Sequence, residues 1–389
     1  MGMLEFGNID VTVSGNDSYI VKGNNKYVRL GEKELKYLFQ VKGIETYEIV
    51  FSTDEELSSD GKKILDEKIE EWGFLDERLE SKINTNKKFD LSMIRLVSIN
   101  PDKLLDKVYP IGHYFFSKIS VVIYVVMNIL AGVLMVVKSN VILDGLQNLK
   151  LTFQAILIIL VAMLFTLSLH ELGHVIVCKK YGGTVSRTGV VLFFFMPCLY
   201  CDVSDIYLFK NQKEKIFVSI SGLYVNSFLC TLSLLIYFVI GQKGLLSTCL
   251  LLYYASNLGF IVYNLIPFVK MDGYWFLSGC LNLSNMFTKS ITMAFSSIFD
   301  VKLLKQSSVS IGKKTTLVIF GWLALFFRPI FWCFSIIQIN DILNLIVPNI
   351  VGHIIMVLII VLVVSDVIKF YIEYIKIFIK DRKQIVSFL

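Results

Sequence analysis

Six stretches of this chain, at residues 115–137 and at about 151–178, 216–240, 246–267, 315–339 and 350–377, are each apolar for about the 20 residues that a helix needs to cross a hydrocarbon core. Lipid offers a backbone no hydrogen-bond partners, so such runs become helices packed on one another. A composition of 55% hydrophobic residues with a mean hydropathy of +0.64 is too apolar for an ordinary soluble domain. The expected fold is mainly α: a polytopic membrane protein of about six transmembrane helices.

Charge divides the chain in two. Residues 1–110 hold 16 Lys/Arg against 21 Asp/Glu, and residues 111–389 hold 22 against 11, so an acidic head precedes a basic, apolar body. Counting basic residues in the short loops places the head inside: Lys179, Lys180, Arg187, Lys210, Lys213, Lys215 and Lys270 fall on its side, against Lys138, Lys150 and Lys243 opposite. Both termini are therefore expected in the cytosol of a multi-pass cell-membrane protein. The opening residues lack a basic segment followed by an apolar one, which does not read as a secretory signal. No nucleic-acid partner is expected. The seven cysteines, an odd number spread through the apolar half, do not read as a disulfide framework.

Within the head, residues 18–30 read as two short strands around the turn Gly23-Asn24-Asn25. Two helical stretches follow, one with Leu35, Leu38 and Phe39 on a face, the other with Ile64 or Leu65, Ile69 and Trp72 at helical spacing. Residues 1–100 are expected to form a small α+β cytosolic recognition domain, and 101–389 the membrane body. A polar stretch from about Glu80 to Pro110 would connect them. In the body, residues 182–200 are too interrupted by glycine and Pro197 for a spanning helix and are rich in β-formers, so a β-hairpin or re-entrant loop is expected.

The chemistry lies in His170-Glu171-Leu172-Gly173-His174, inside the second apolar stretch. At helical pitch the two imidazoles share a face and reach one Zn²⁺, while Glu171 points toward the metal-bound water. A solvated helix face is the bland alternative. It fails on energy, because each ionisable group deep in a span costs about 2.5–3.5 kcal/mol on insertion scales. Catalytic zinc usually takes three protein ligands and keeps one position for water. His113 and His353, at span ends, read as interfacial or packing residues. Asp272 follows the fourth stretch, which runs in the same direction as the second, so it approaches the same membrane face as His174.

With His170-Glu171-Leu172-Gly173-His174 in one span and the N-x-x-P-x-x-x-x-D-G pattern from Asn264 to Gly273 after a later one, the chain resembles the site-2 protease family of intramembrane zinc metallopeptidases. The resemblance implies a metal-site core within about 151–285, His170, His174 and Asp272 as zinc ligands, Glu171 as general base and Asn264 as a polar group near the scissile carbonyl. Gly222-Leu223-Tyr224-Val225-Asn226 is similar to a further element of that family, with Leu223 where Pro is usual, which implies a substrate-side role for Asn226. An extended substrate is expected to pair with the edge at 183–195, with Gly183 and Val190 among its contacts. The head, from Tyr27-Val28-Arg29-Leu30 to Trp72-Gly73-Phe74-Leu75, resembles the winged-helix leader-binding domains of ribosomal-peptide modification systems.

The expected activity is hydrolysis of a peptide bond in a membrane-embedded or membrane-delivered peptide, in maturation or export of a ribosomally made peptide. Regulated cleavage of a signalling protein is one alternative, although residues 175–271 leave little room for the extra domain such enzymes often carry. A zinc-binding accessory without proteolysis is the other, and an intact Glu171 argues against it. Cys198 and Cys201 form a lone C-x-x-C, read as small apolar residues of the hairpin, with Asp202 and Asp205 at the membrane surface. Phe193, Phe194, Phe195, Trp275, Trp322 and Trp332 read as lipid-facing or interfacial. Arg328-Pro329 inside the fifth stretch demands an anion partner and frees a carbonyl.

Overall fold

The structure is a computed structural model and describes residues 4–6, 9–13, 18–23, 26–44, 49, 59–72, 74, 93–149, 152–193, 195–209, 211–241, 244–283, 285–306, 310–346 and 349–387. The chain divides into two compact units.

The first unit comprises Met1–Phe89, Tyr181–Thr184 and Val203–Lys215. Strands β1 (Leu4–Phe6), β2 (Ile9–Val13), β3 (Ser18–Gly23) and β4 (Lys26–Gly31) form an antiparallel sheet in chain order, and helices α1 (Glu32–Lys42) and α2 (Ser59–Trp72) follow. Val11 pairs with Val21 and Val21 with Val28, so the β-branched residues of alternate positions share one face. That face meets Leu35, Leu38 and Phe39 of α1 and Leu65 and Ile69 of α2, all buried in one core. Glu32 and Glu34 open α1, and Gly43 closes it with φ of 65°, donating its N–H to the Gln40 and Phe39 carbonyls. Phe74 packs where a Cβ on Gly23 would stand, 2.9 Å from its ring. The expected strand pair is present with two further strands before it. The Asn24-Asn25 turn and the Ile64 side chain lie outside the described residues.

Asp205, expected at the membrane surface, is instead 3% exposed inside this first unit. Its carboxylate accepts from the Tyr27 hydroxyl, from the Thr184 N–H and hydroxyl at 2.7 Å each, and from Lys22 at 2.8 Å. Burial disfavours its ionised form, but these donors outweigh it and hold the carboxyl below its usual range.

The second unit contains β5 (Met93–Ile99), α3 (Asp102–Gly112), a short 3-10 turn at His113–Phe116, α4 (Lys118–Val137), α5 (Ser139–Gln147), α6 (Phe153–Lys180), β6 (Thr188–Phe193) and β7 (Met196–Cys201). It continues with α7 (Gln212–Ile240, whose first turn belongs to the first unit), α8 (Leu245–Leu265), α9 (Asp272–Leu281), α10 (Met286–Phe299), α11 (Val301–Gln306), α12 (Ile311–Ile346) and α13 (Asn349–Ser387). Among the described residues, six helices are long and apolar enough to cross a membrane: α4, α6, α7, α8, α12 and α13. The protein is therefore mainly helical and multi-pass, with a small β region at its N-terminal side.

Helix α4 is peripheral, with 6% of its apolar window buried, whereas α7 is central, with 39%. Their contact is stitched by polar side chains: Tyr124 donates to Ser227 at 3.0 Å, and Thr231 donates to Asn128 at 3.0 Å. Between membrane helices, where lipid is as apolar as leucine, such bonds and close packing replace the hydrophobic drive.

Three strands form a second sheet in the order β5-β6-β7. The hairpin expected within 182–200 is β6–β7, turning through Phe195 at φ of 66°. Strand β5 lies inside the stretch expected to be a plain polar connector; its run Met93-Ile94-Arg95-Leu96-Val97 is short enough to be masked by charged neighbours. Because β6 bonds to β5 on one side and β7 on the other, it is the central strand and not an edge. The pairing edge expected at 183–195 is thus filled by the chain itself.

The Arg328-Pro329 puzzle is resolved between α12 and α13. Arg328 pairs with Asp366 at 2.8 Å and lies 4.5 Å from the Phe370 ring centroid. Pro329 cannot donate to the Leu325 carbonyl four residues back, and the Tyr371 hydroxyl donates to that carbonyl at 2.7 Å instead. Trp332, expected at a lipid interface, is 1% exposed and donates to Asp366 at 3.1 Å. Trp322 donates to Ser297 at 3.3 Å.

Candidate metal centre

Helix α6 carries His170 and His174 four residues apart, both buried, with their Nε2 atoms 3.2 Å from each other. Such facing nitrogens repel unless a proton or a cation lies between them. The Asp272 carboxylate completes the group: Oδ2 is 3.1 Å from His170 Nε2 and Oδ1 is 3.2 Å from His174 Nε2. One donor atom from each residue falls within 4.8 Å of the others, the compactness that a single ion needs.

Each ligand-type residue is set by local sequence logic. Pro267 biases Ile266 to an extended backbone and stops α8 at Leu265, and the chain then turns back so that Asp272 opens α9. Gly273 makes that return possible: a Cβ there would stand 2.3 Å from the Leu265 carbonyl oxygen and 3.0 Å from that of Asn264. The N-terminus of α9 favours a negative charge at Asp272.

The third wall is α7. A Cβ on Gly222 would come within 2.4 Å of His174 Nε2 and 2.6 Å of His170 Nε2, so only glycine leaves the donor atoms their space. Gly173, between the histidines, lets α6 approach α7, since its own Cβ would meet the Ser221 carbonyl oxygen at 3.0 Å. His174 Nδ1 lies 2.7 Å from the Val218 carbonyl oxygen and 3.3 Å from the Ser221 hydroxyl, so a proton on Nδ1 leaves the Nε2 lone pair facing Asp272. The sequence reading missed Gly222, Val218 and Ser221 in these roles. The signals in the chain were the adjacent small residues Ser221-Gly222 and the place of Gly222 at the head of the element that runs to Asn226.

The residues present fit a metal such as zinc. Two neutral nitrogens and a carboxylate are the ligand set of a catalytic zinc site, Asp272 Oδ2 has no hydrogen-bond partner among the described residues, and Gly222 keeps the space before the donors open. Glu171 lies within electrostatic reach of His170, His174 and Asp272. Strand β7 passes the same place, with Cys201 Sγ 3.6 Å from the Glu171 carbonyl oxygen.

The other expected site residues fall as follows. Asn264 is buried at the end of α8 and gives one amide N–H to Phe260 O at 3.0 Å. Asn226 is wholly buried on α7, one turn beyond Gly222. Val190 is mid-β6, paired with Val97 and Leu199, and Gly183 belongs to the first unit. His113 packs against Tyr109 and Tyr114, and His353 lies on α13; neither joins the donor group.

Fold and site together define a multi-pass helical protein with a His-His-Asp donor group, its two histidines buried, suited to zinc. Over 142 residues the chain is 31% identical to a Bacillus subtilis (strain 168) protein named "Putative peptide zinc metalloprotease protein YydH". That match covers 36% of this chain and 54% of the relative, so the chain spans about half the length of the protein it matches. No protein-family model and no solved structure matches the chain.

Proposed function

We propose that the protein is a membrane zinc endopeptidase of the site-2 protease type, acting on a membrane-embedded or membrane-delivered peptide during its maturation or export. The observation that carries this is the convergence of His170, His174 and Asp272 on one point with Glu171 beside it. The name of the Bacillus subtilis relative supports the zinc metalloprotease part of this reading.

His170, His174 and Asp272 would hold the ion. Bound there, zinc supplies a Lewis acid that polarises a carbonyl and lowers the pKa of a coordinated water to about 7. Glu171 accepts the proton of the attacking water and returns it to the leaving amine. Asn264 commits one amide hydrogen to Phe260 and keeps the other for the oxygen that gains charge at the scissile carbonyl. Strand β7, which passes Glu171, offers an outer edge along which an extended peptide could run, in place of the filled β6 edge.

The first unit, a four-stranded sheet with two helices, would recruit the substrate as a leader-binding domain of the winged-helix kind. The positive-inside count supports an orientation with both termini in the cytosol.

Co-expression of the full chain with candidate short precursor peptides encoded near its gene, followed by mass spectrometry, tests the reading. Wild type should yield a shortened product, and Glu171→Gln should lower the yield by about 100-fold or more while retaining zinc. Identical products from both forms would overturn the proteolytic assignment, and zinc retained without any product from wild type would favour the accessory alternative.

A further inference from the structure

One helical turn from His170, three helices of the second unit bring polar side chains to a common level. On α6, Thr166 precedes His170 by a turn. On α7, Asn226 follows by a turn Gly222, whose absent Cβ would touch the His170 ring at 2.6 Å. On α8, Asn257 precedes by nearly a turn Phe260, whose ring centroid is 5.5 Å from that of His170. All three are at most 1% exposed. In hydrocarbon surroundings that many buried polar groups are tolerated only when bonded.

Some bonds are visible. The Thr166 hydroxyl donates to Ala162 O at 2.9 Å, so the Tyr253 hydroxyl is the donor in their 2.5 Å contact. Asn257 Nδ2 donates to Asn226 O at 3.2 Å and to the Tyr253 oxygen at 3.4 Å, which uses both of its hydrogens. Four atoms are then left with no partner among the described residues: Asn226 Oδ1, Asn226 Nδ2, Asn257 Oδ1 and His170 Nδ1. His170 Nδ1 contrasts with His174 Nδ1, which has the Val218 carbonyl.

Two of these atoms accept, the two carboxamide oxygens. One donates, the Asn226 amide. The fourth donates as well once His170 Nε2 is a metal ligand, because the proton of a neutral imidazole then resides on Nδ1. Two accepting atoms and two donating atoms match the four bonds of one water molecule, which donates twice and accepts twice, with the second Asn226 amide hydrogen left over.

We propose that Asn226, Asn257 and His170 bind an ordered water, enclosed by Thr166 and Tyr253, which accepts the His170 Nδ1 proton and so fixes that ring as a metal ligand. The two carboxamides are positioning residues, acting on the metal through the water and His170. The site rests on the zinc reading for the His170 proton; its carboxamide half does not.

Zinc competition with a chromophoric chelator, on detergent-solubilised full-length protein, provides the first measurement. Asn226→Leu and Asn257→Leu should each weaken zinc about 10- to 100-fold, the usual cost of losing a partner behind a metal-bound histidine. Asn226→Asp, which keeps an acceptor for the water, should restore most of that affinity. Thermal unfolding of the metal-free forms separates this from general damage: a loss of zinc affinity larger than the apo destabilisation predicts supports positioning, and unchanged zinc affinity in both leucine variants overturns it. A high-resolution structure of the wild type provides the second. Density for a water bonded to Asn226 and Asn257 supports the site, and direct pairing of those amides with protein groups overturns it. Failure of wild type to bind zinc at all would sink the metal centre itself and leave the water site to be judged on the density alone.

Discussion

At the scale of single residues, the donor group depends as much on what is missing as on what is present. Gly222 carries no side chain because the space its Cβ would fill belongs to His170 and His174. Gly222→Ala should therefore displace the imidazoles and lower zinc affinity sharply while α7 itself remains helical, alanine being the better helix former by about 1 kcal/mol. Metal analysis and circular dichroism of the purified variant check the two halves of that expectation, and a variant with normal zinc content would contradict the geometry. Gly273 stands in a similar relation to the Leu265 and Asn264 carbonyls. The glycine that follows Asp272 thus has a steric reason, which spacing alone could not supply.

At the scale of elements, α12 and α13 are joined by charges in an apolar setting. Arg328 and Asp366 are 18% and 12% exposed at their side chains, and Trp332 and Tyr371 serve the same contact. Removing one member strands the other, at a cost of about 3 kcal/mol for a buried pair. Arg328→Met or Asp366→Asn should lower the midpoint of thermal unfolding, and the exchange Arg328→Asp with Asp366→Arg should recover part of it. No recovery would mean that Arg328 acts through its stacking on Phe370 rather than its charge. Trp332 also packs against Phe195 at the β6–β7 turn, with ring centroids 5.5 Å apart. The same variants therefore report on how firmly the hairpin is seated.

At the scale of the whole molecule, the first unit draws in two segments from the middle of the chain, Tyr181–Thr184 and Val203–Lys215, which flank the β6–β7 hairpin in sequence. Asp205 ties them to β3 and β4 through Lys22, Tyr27 and Thr184. Its folded pKa is depressed, so its contribution is complete above the ordinary aspartate value of about 3.9 and is lost as pH falls through the lower folded value. Asp205→Asn should be less stable than wild type near neutrality, with the difference shrinking as the medium is acidified into that range. Parallel melts of both forms across the acid range, followed by scanning fluorimetry, give the comparison; a gap independent of pH would show that the carboxylate charge has no part in it.

Much of this was legible in the chain itself. The six spanning helices follow from runs of apolar residues, because burial in lipid is dictated by local composition and length. His170 and His174 were readable as ligand-type residues because a helix repeats every 3.6 residues and ionisable groups are costly in a span, and Asp272 because the stretch before it runs in the same direction as the one that carries the histidines. What only the tertiary structure decided are pairings between segments distant in sequence: β5 against β6, Asp366 beside Arg328, Asp205 inside the first unit, and Gly222 against the histidines. Strand partners, counter-ions and close approaches are fixed by which surfaces meet, and neither periodicity nor spacing in one segment carries that information.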